Sequence, residues 1–171
     1  KDAIADYFVA NTPDGKRPSV RMDTPDVRFN IHIAQKHVTL SLDSSGDSLH
    51  KRGYKVKQTP APLSEVLAAG ILLKAGWQGQ CDLIDPMCGS GTFAIEAALI
   101  ARGVAAGAWR TKYAFEEWAD FDADLWREVQ EDPNYETPFE HHIYASDIAN
   151  DAYTVTNANV QHMGLGHDIT V

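Results

Sequence analysis

Residues 83–101 carry three signals in a fixed order. Leu83-Ile84 is a short apolar run that ends on Asp85. Pro86-Met87-Cys88-Gly89-Ser90-Gly91-Thr92 follows, then the helical pattern Phe93-Ala94-Ile95-Glu96-Ala97-Ala98-Leu99-Ile100-Ala101. The order is strand, glycine-rich turn, helix. It suits a cofactor whose polar part sits at the carboxyl end of a parallel strand. Two glycines let backbone approach a ligand closely, and a helix N-terminus offers free N–H groups. A phosphate-binding loop of the Gly-Lys-Ser/Thr kind is excluded, because no lysine is present. The dinucleotide spacing G-x-G-x-x-G also fails, since Gly89 and Gly91 are followed by Ala94. An ordinary strand-to-helix turn is the competing reading. The coincidence of proline, two glycines and a helix-starting threonine weighs against it.

Composition bounds the rest. The chain has 171 residues, of which 44% are hydrophobic, enough for a real core. No run of eighteen apolar residues occurs, so no membrane span is expected. No signal peptide is visible, and the chain opens on Lys1 rather than methionine, which reads as part of a longer protein. Cys81 and Cys88 bracket a strand, too far apart for a disulfide, and read as reduced thiols of a cytoplasmic protein. Seven histidines are present, but neither CxxC nor HExxH, and the adjacent His141-His142 would face opposite sides of a strand, so no metal is expected. The net charge of −9 argues against a chain-wide nucleic-acid surface. Residues 50–57 nevertheless carry Lys51, Arg52, Lys55 and Lys57 with no acid, while the acid excess lies in 116–140. A local RNA-binding patch and a solvated linker both fit that charge pattern.

Along the chain, residues 1–10 read as a helix with Ile4, Tyr7 and Phe8 on one face. Val27, Phe29, Ile31 and Ile33 alternate with polar residues as a half-buried strand. Gln35-Lys36 turns it back into Val38, Leu40 and Leu42, a hairpin too small to be a stable domain alone. Thr59-Pro60-Ala61-Pro62 marks a boundary. Pro62 fits the first turn of a helix to about Ala75, with Val66, Leu67, Gly70, Ile71 and Lys74 on a close-packed face. Residues 82–85 form the first strand of a second unit and Thr92–Ala101 its first helix. Residues 103–140 read as an insertion. Its aromatics, Trp109, Tyr113, Phe115, Trp118, Phe121, Trp126, Tyr135 and Phe139, suit core packing better than base stacking. Ile143-Tyr144-Ala145-Ser146-Asp147 is strand two, followed by a helix from about Asn150 to Met163. Asp147 ends that strand, where an acid accepts the ribose hydroxyls of a nucleoside cofactor; the alternative is a helix N-cap.

These features resemble a known family. An acid ending the strand, then Pro and Gly-x-Gly, is similar to the S-adenosylmethionine loop of class I methyltransferases. Arg17-Pro18-Ser19-Val20, Ser41-Leu42-Asp43, Ser45-Gly46-Asp47, Ser48-Leu49-His50, Arg52-Gly53-Tyr54, Ala61-Pro62-Leu63 and Ala75-Gly76-Trp77 resemble the THUMP-linked RNA methylases. The resemblance implies that residues 1–58 are the later part of an α+β THUMP RNA-binding domain with its linker. It implies that residues 59–171 are the first part of a Rossmann-like methyltransferase. Asp85, Pro86, Cys88, Gly89, Ser90, Gly91 and Thr92 become the cofactor loop. Asp147 and Ile148 become the ribose acid and its adenine-side neighbour. Pro62 and Leu63 begin the helix that closes the methionine end. Lys51, Arg52, Tyr54 and Lys55 are the candidate RNA contacts.

The implied activity is S-adenosylmethionine-dependent methylation of a guanine N2 amine in 23S ribosomal RNA. A DNA adenine-N6 methylase and a non-catalytic RNA-binding adaptor are the alternatives. These enzymes clamp the target amine with an Asn-Pro-Pro-Tyr-type motif, which this chain lacks. Asp132-Pro133-Asn134-Tyr135 matches it only superficially and reads as a turn. No catalytic residue is therefore expected here, and the chain is expected to be inactive on its own. It is also expected to stop after its second strand and helix. Residues 143–171 should self-associate or be partly disordered, because a truncated parallel sheet has an uncovered edge.

Overall fold

The computed structural model describes residues 2–21, 23, 25–131 and 137–171. The elements in chain order are α1 (Asp2–Asn11), β1 (Phe29–Ala34), β2 (His37–Leu42), α2 (Glu65–Lys74), β3 (Leu83–Asp85) and α3 (Thr92–Ala101). A 3₁₀ turn (Ala114–Glu117), α4 (Ala123–Gln130), β4 (Ile143–Ala145), α5 (Asn150–His162) and β5 (Ile169–Thr170) follow. The chain is α/β, with a two-stranded antiparallel sheet β1-β2 and a three-stranded parallel sheet β3-β4-β5.

The hairpin has the expected turn: Ala34 pairs with His37, and Gln35 takes φ +55°. Its register sets Phe29 opposite Leu42, Ile31 opposite Leu40 and Ile33 opposite Val38. Alternation therefore puts six apolar side chains on one face. That face was expected to be half-buried, yet all six are exposed. Alternation reveals that a strand has an apolar face, not whether anything covers it, and here nothing among the described residues does. The helical face of Ile4, Tyr7 and Phe8 is exposed for the same reason.

The core lies in the parallel unit. Helix α3 is buried nearly all round: Ala94, Ile95, Ala97, Ala98 and Leu99 contact the sheet on one side and α2 on the other. Alanines keep that helix thin enough to pass between two layers. Ile143, Ala145 and Ile169 cover the inner face of the sheet, while Ile84 and Tyr144 leave the opposite face bare. Helices α2, α3 and α5 end alike, with the second amide past the C-cap bonded back into the last turn. These bonds run from Trp77 N to Leu72 O, Val104 N to Leu99 O and Leu165 N to Val160 O. Each closing residue is apolar and packs on the core. Trp77 also donates its indole N–H to Ala97 O at 3.0 Å, tying the end of α2 to α3.

Three expectations need correction. Helix α2 starts at Glu65 with Ser64 as N-cap, so Pro62 and Leu63 precede it. Its buried side is Glu65, Ala68 and Leu72, whereas Val66, Leu67, Gly70, Ile71 and Lys74 face outward. Apolar residues surround this helix, so periodicity alone could not choose the face. The sheet also has a third parallel strand: β5 pairs with β4, Ile143 opposite Ile169. At two residues it is too short to announce itself in sequence.

In the insertion, the aromatics pack on one another. Tyr113 stacks on Phe115 at 5.2 Å between ring centroids, and Trp126 meets both edge-on at 5.5 and 5.0 Å. Phe139 packs against Trp77. These rings are half-buried against one another, only Phe139 packs on the core, and Trp109 is exposed, so the expectation of core packing holds only in part; Tyr135 lies outside the described residues, as does the Asp132–Tyr135 stretch. Cys81 and Cys88 are both free thiols. Among the described residues, no helix is long and apolar enough to cross a membrane.

Candidate cofactor site

The parallel pairing of β3 with β4 sets Asp85 opposite Ala145, so both strands release their chains at the same end of the sheet. Main-chain bonds continue past the strands, from Ser146 N to Asp85 O and from Cys88 N to Ser146 O. The two exits are thereby fixed side by side. Both acids hold amides of the loop: Asp147 Oδ2 accepts from Gly89 N at 3.0 Å, and Asp85 Oδ1 accepts from Met87 N at 3.3 Å.

Helix α5 holds the loop from beneath. Thr156 donates its hydroxyl to Gly89 O at 2.9 Å and lies 3.4 Å from Cys88 Sγ. Asn159 donates to Ser90 O at 2.9 Å. Gly91 N bonds Cys88 O, and Ile95 N bonds Gly91 O as α3 begins. Ser90 and Thr92 join their hydroxyls at 3.2 Å. The carbonyls from Cys88 to Gly91 are thus all engaged, while the first amides of α3 have no intrahelical acceptor. Gly91 is glycine for two reasons: φ is +79°, and a Cβ would stand 2.8 Å from Thr156 Cγ2. Gly89 also has positive φ, +57°, but a Cβ there would meet nothing within 4 Å. The space over Gly89 is open.

The electrostatics are asymmetric. Backbone N–H groups of Ala149 and Gly89 hold Asp147 below the usual carboxylate range. Burial pushes Asp85 above it, with repulsion from Asp147 adding and the Met87 amide opposing. Asp85 Oδ2 is buried and has no hydrogen-bond partner among the described residues. An orphaned carboxylate oxygen of this kind is costly unless a ligand cation or donor meets it. At the rim, Ile148 is 103% exposed and Met87 83% exposed. Two bare apolar side chains beside an open glycine suit a ligand with an apolar face. Burial raises the Cys88 thiol, so this cysteine stays neutral. Helix α5 has Ala149 as its N-cap, so Asp147 does not serve there; its Oδ1 instead accepts from Ala149 N at 2.9 Å.

The structure thus brings together Asp85, Cys88, Gly89, Ser90, Gly91, Thr92 and Asp147, with Pro86 in the turn and Ile148 at the rim. It does not place Pro62 and Leu63 in a helix; Leu63 O instead accepts from Lys55 Nζ at 3.1 Å. The candidate RNA contacts are corrected more deeply. Arg52 lies inside, 3.3 Å from Glu96 Oε1, and the fully buried Tyr54 donates its hydroxyl to the same oxygen at 3.1 Å. Lys55 pairs with Glu65 at 2.9 Å, both side chains enclosed. Of the four, Lys51 alone is exposed. The charges of Arg52 and Lys55 are spent on acids of α3 and α2. Thr156 and Asn159 were not anticipated. Two polar residues one turn apart on a helix gave only a faint hint, easily taken for a solvated face.

A parallel sheet with an acid-bounded glycine loop at its carboxyl edge defines an α/β unit of the methyltransferase type. This chain belongs to the family described as RMKL-like, methyltransferase domain, whose model matches residues 52–171. The THUMP domain model matches residues 1–43. Among curated relatives, the ribosomal RNA large subunit methyltransferase K/L of Methylococcus capsulatus is 48% identical over 133 residues, 75% of this chain. The protein of the same name from Marinomonas sp. is 48% identical over 134 residues, 77% of this chain. The matched part is 18% of the length of each relative.

Solved structures agree. A proposed methyltransferase, SMU.472, complexed with SAH, superposes with a TM-score of 0.78 at 30% identity, over 96% of this chain and 42% of that one. A possible methylase from Clostridium difficile gives 0.82 at 32%, over 99% and 44%. A predicted N6-adenine-specific DNA methylase from Listeria monocytogenes gives 0.76 at 29%, over 99% and 43%.

Proposed function

We propose that this chain binds S-adenosylmethionine as the cofactor unit of a ribosomal RNA methyltransferase acting on a guanine N2 amine of 23S RNA in the cytoplasm. The observation that carries the reading is a pair of acids on one loop: Asp147 bonded to the amide of an open Gly89, and Asp85 with its Oδ2 buried and unpartnered among the described residues. Bound there, the cofactor supplies an electrophilic methyl group on sulfonium. Asp85 holds its ammonium group, and the free amides at the start of α3 take its carboxylate. Asp147 accepts the ribose hydroxyls with the lone pairs left by its two amide bonds. Ile148 covers one face of the adenine. The insertion's rings engage one another, and none of them is assigned to the RNA here. No residue here is assigned to the target amine, so catalysis of the transfer itself is not attributed to this chain.

The relatives of the same name favour RNA over the DNA label of one structural neighbour. The intact loop, with Gly89, Gly91 and Asp147 all in place, favours an enzyme over an adaptor. Calorimetric titration with S-adenosylhomocysteine tests the cofactor reading. Saturable binding is expected, weakened tenfold or more in Asp147→Ala. No heat of binding to the wild-type chain would overturn it.

A further inference from the structure

Asn159 is fully buried in α5 and uses its whole hydrogen-bonding capacity on main chain. Its Oδ1 accepts from Val56 N at 3.0 Å and Lys57 N at 3.1 Å. Its Nδ2 donates to Lys57 O at 3.0 Å and Ser90 O at 2.9 Å. A carboxamide offers two donors and two lone pairs, and all four are engaged. The two backbone donors also fix which atom is oxygen. One side chain therefore touches both residues 56–57, near the start of the methyltransferase unit, and the glycine loop.

That segment is held elsewhere as well. Arg52 and Tyr54 meet Glu96 on α3, and Lys55 meets Glu65 on α2. Residues 52–57 are thus laid across three helices, and Asn159 is where this track reaches the loop. Thr156, one turn earlier on the same face, holds Gly89 O and sits beside Cys88.

We propose that Asn159 is a positioning residue that couples the segment 52–57 to the cofactor loop. It links occupancy of the site to the docking of residues 56–57, near the start of the methyltransferase unit and just after the N-terminal module. The inference rests on the cofactor reading above. Coupling of this kind is reciprocal: a ligand that orders the loop must steady the segment equally. Burial of an ordinary structural asparagine would stabilise the fold with no such linkage.

Amide hydrogen exchange on the wild-type chain, with and without saturating S-adenosylhomocysteine, decides the matter. Exchange at Val56 and Lys57 is expected to slow at least tenfold on binding, along with that at Gly89. Protection at Gly89 with no change at Val56 and Lys57 would overturn the coupling and leave the cofactor reading standing. No protection anywhere would remove the cofactor reading, and the coupling with it. In Asn159→Ala, affinity should fall about tenfold and ligand-dependent protection at 56–57 should vanish. Thr156→Val should weaken binding but keep basal protection at Val56 and Lys57. If Asn159→Ala fails to fold, the wild-type comparison is decisive by itself.

Discussion

Replacing Gly91 by alanine separates two costs that usually arrive together. The first is backbone strain, because residue 91 sits at φ +79°. An L-residue there costs about 1–2 kcal/mol. The second is steric, since the new Cβ would stand 2.8 Å from Thr156 Cγ2. Overpacking in a buried site costs about 1–3 kcal/mol. The sum, roughly 2–5 kcal/mol, lowers the melting temperature by about 4–20 °C in a chain of this size. Thr156→Ser removes Cγ2 and keeps the hydroxyl that donates to Gly89 O. In the serine background Gly91→Ala should therefore cost the strain and a much milder contact, with Oγ and Cβ of residue 156 at 3.3 and 3.4 Å. A double-mutant cycle by urea denaturation should return a coupling of about 1–3 kcal/mol between the two positions. Gly89→Ala is the internal control, with similar strain and open space around the new carbon. A coupling near zero would show that the backbone moves aside and that close approach does not dictate this glycine.

Two further outcomes follow from the buried charges. Burial, then Asp147, raises Asp85, so its protonated form is favoured in the folded chain. Its contribution to stability is full below the usual carboxylate range and is lost as pH rises through the raised value. A ligand bearing an ammonium group needs the ionised form. S-adenosylhomocysteine affinity should therefore climb through that window, and equal slopes in wild type and Asp85→Asn would refute the assignment. Arg52→Ala should destabilise by about 3–5 kcal/mol, because Glu96 is left buried without its cation. Lys51→Ala should change stability by less than about 0.5 kcal/mol, as surface substitutions usually do. Equal effects in chemical denaturation would place Arg52 at the surface, free to meet RNA.

What was legible in the sequence was what neighbouring residues decide. The turn at Gln35-Lys36, the strand-loop-helix around Gly89 and Gly91, and the acid after β4 all depend on local chemistry. What was not legible depends on who arrives from far away. The outward face of α2 is as apolar as its inward one, and only α3 breaks the tie. Arg52, Tyr54 and Lys55 look like an RNA patch until Glu96 and Glu65 are set against them. The hairpin's apolar face was visible in the alternation of Phe29, Ile31 and Ile33, but its exposure was not.

The way α5 carries the loop bears on protein engineering. Gly89 and Ser90 are held by side chains 67 and 69 residues further along the chain. A graft of residues 85–92 onto another parallel sheet would bring the glycines and leave those supports behind. The chimera would still read as a cofactor motif to any pattern search while its carbonyls pointed freely. The transplantable unit is the loop together with Asp147, Thr156 and Asn159. A designer who moves the contiguous stretch alone moves the inscription without the masonry.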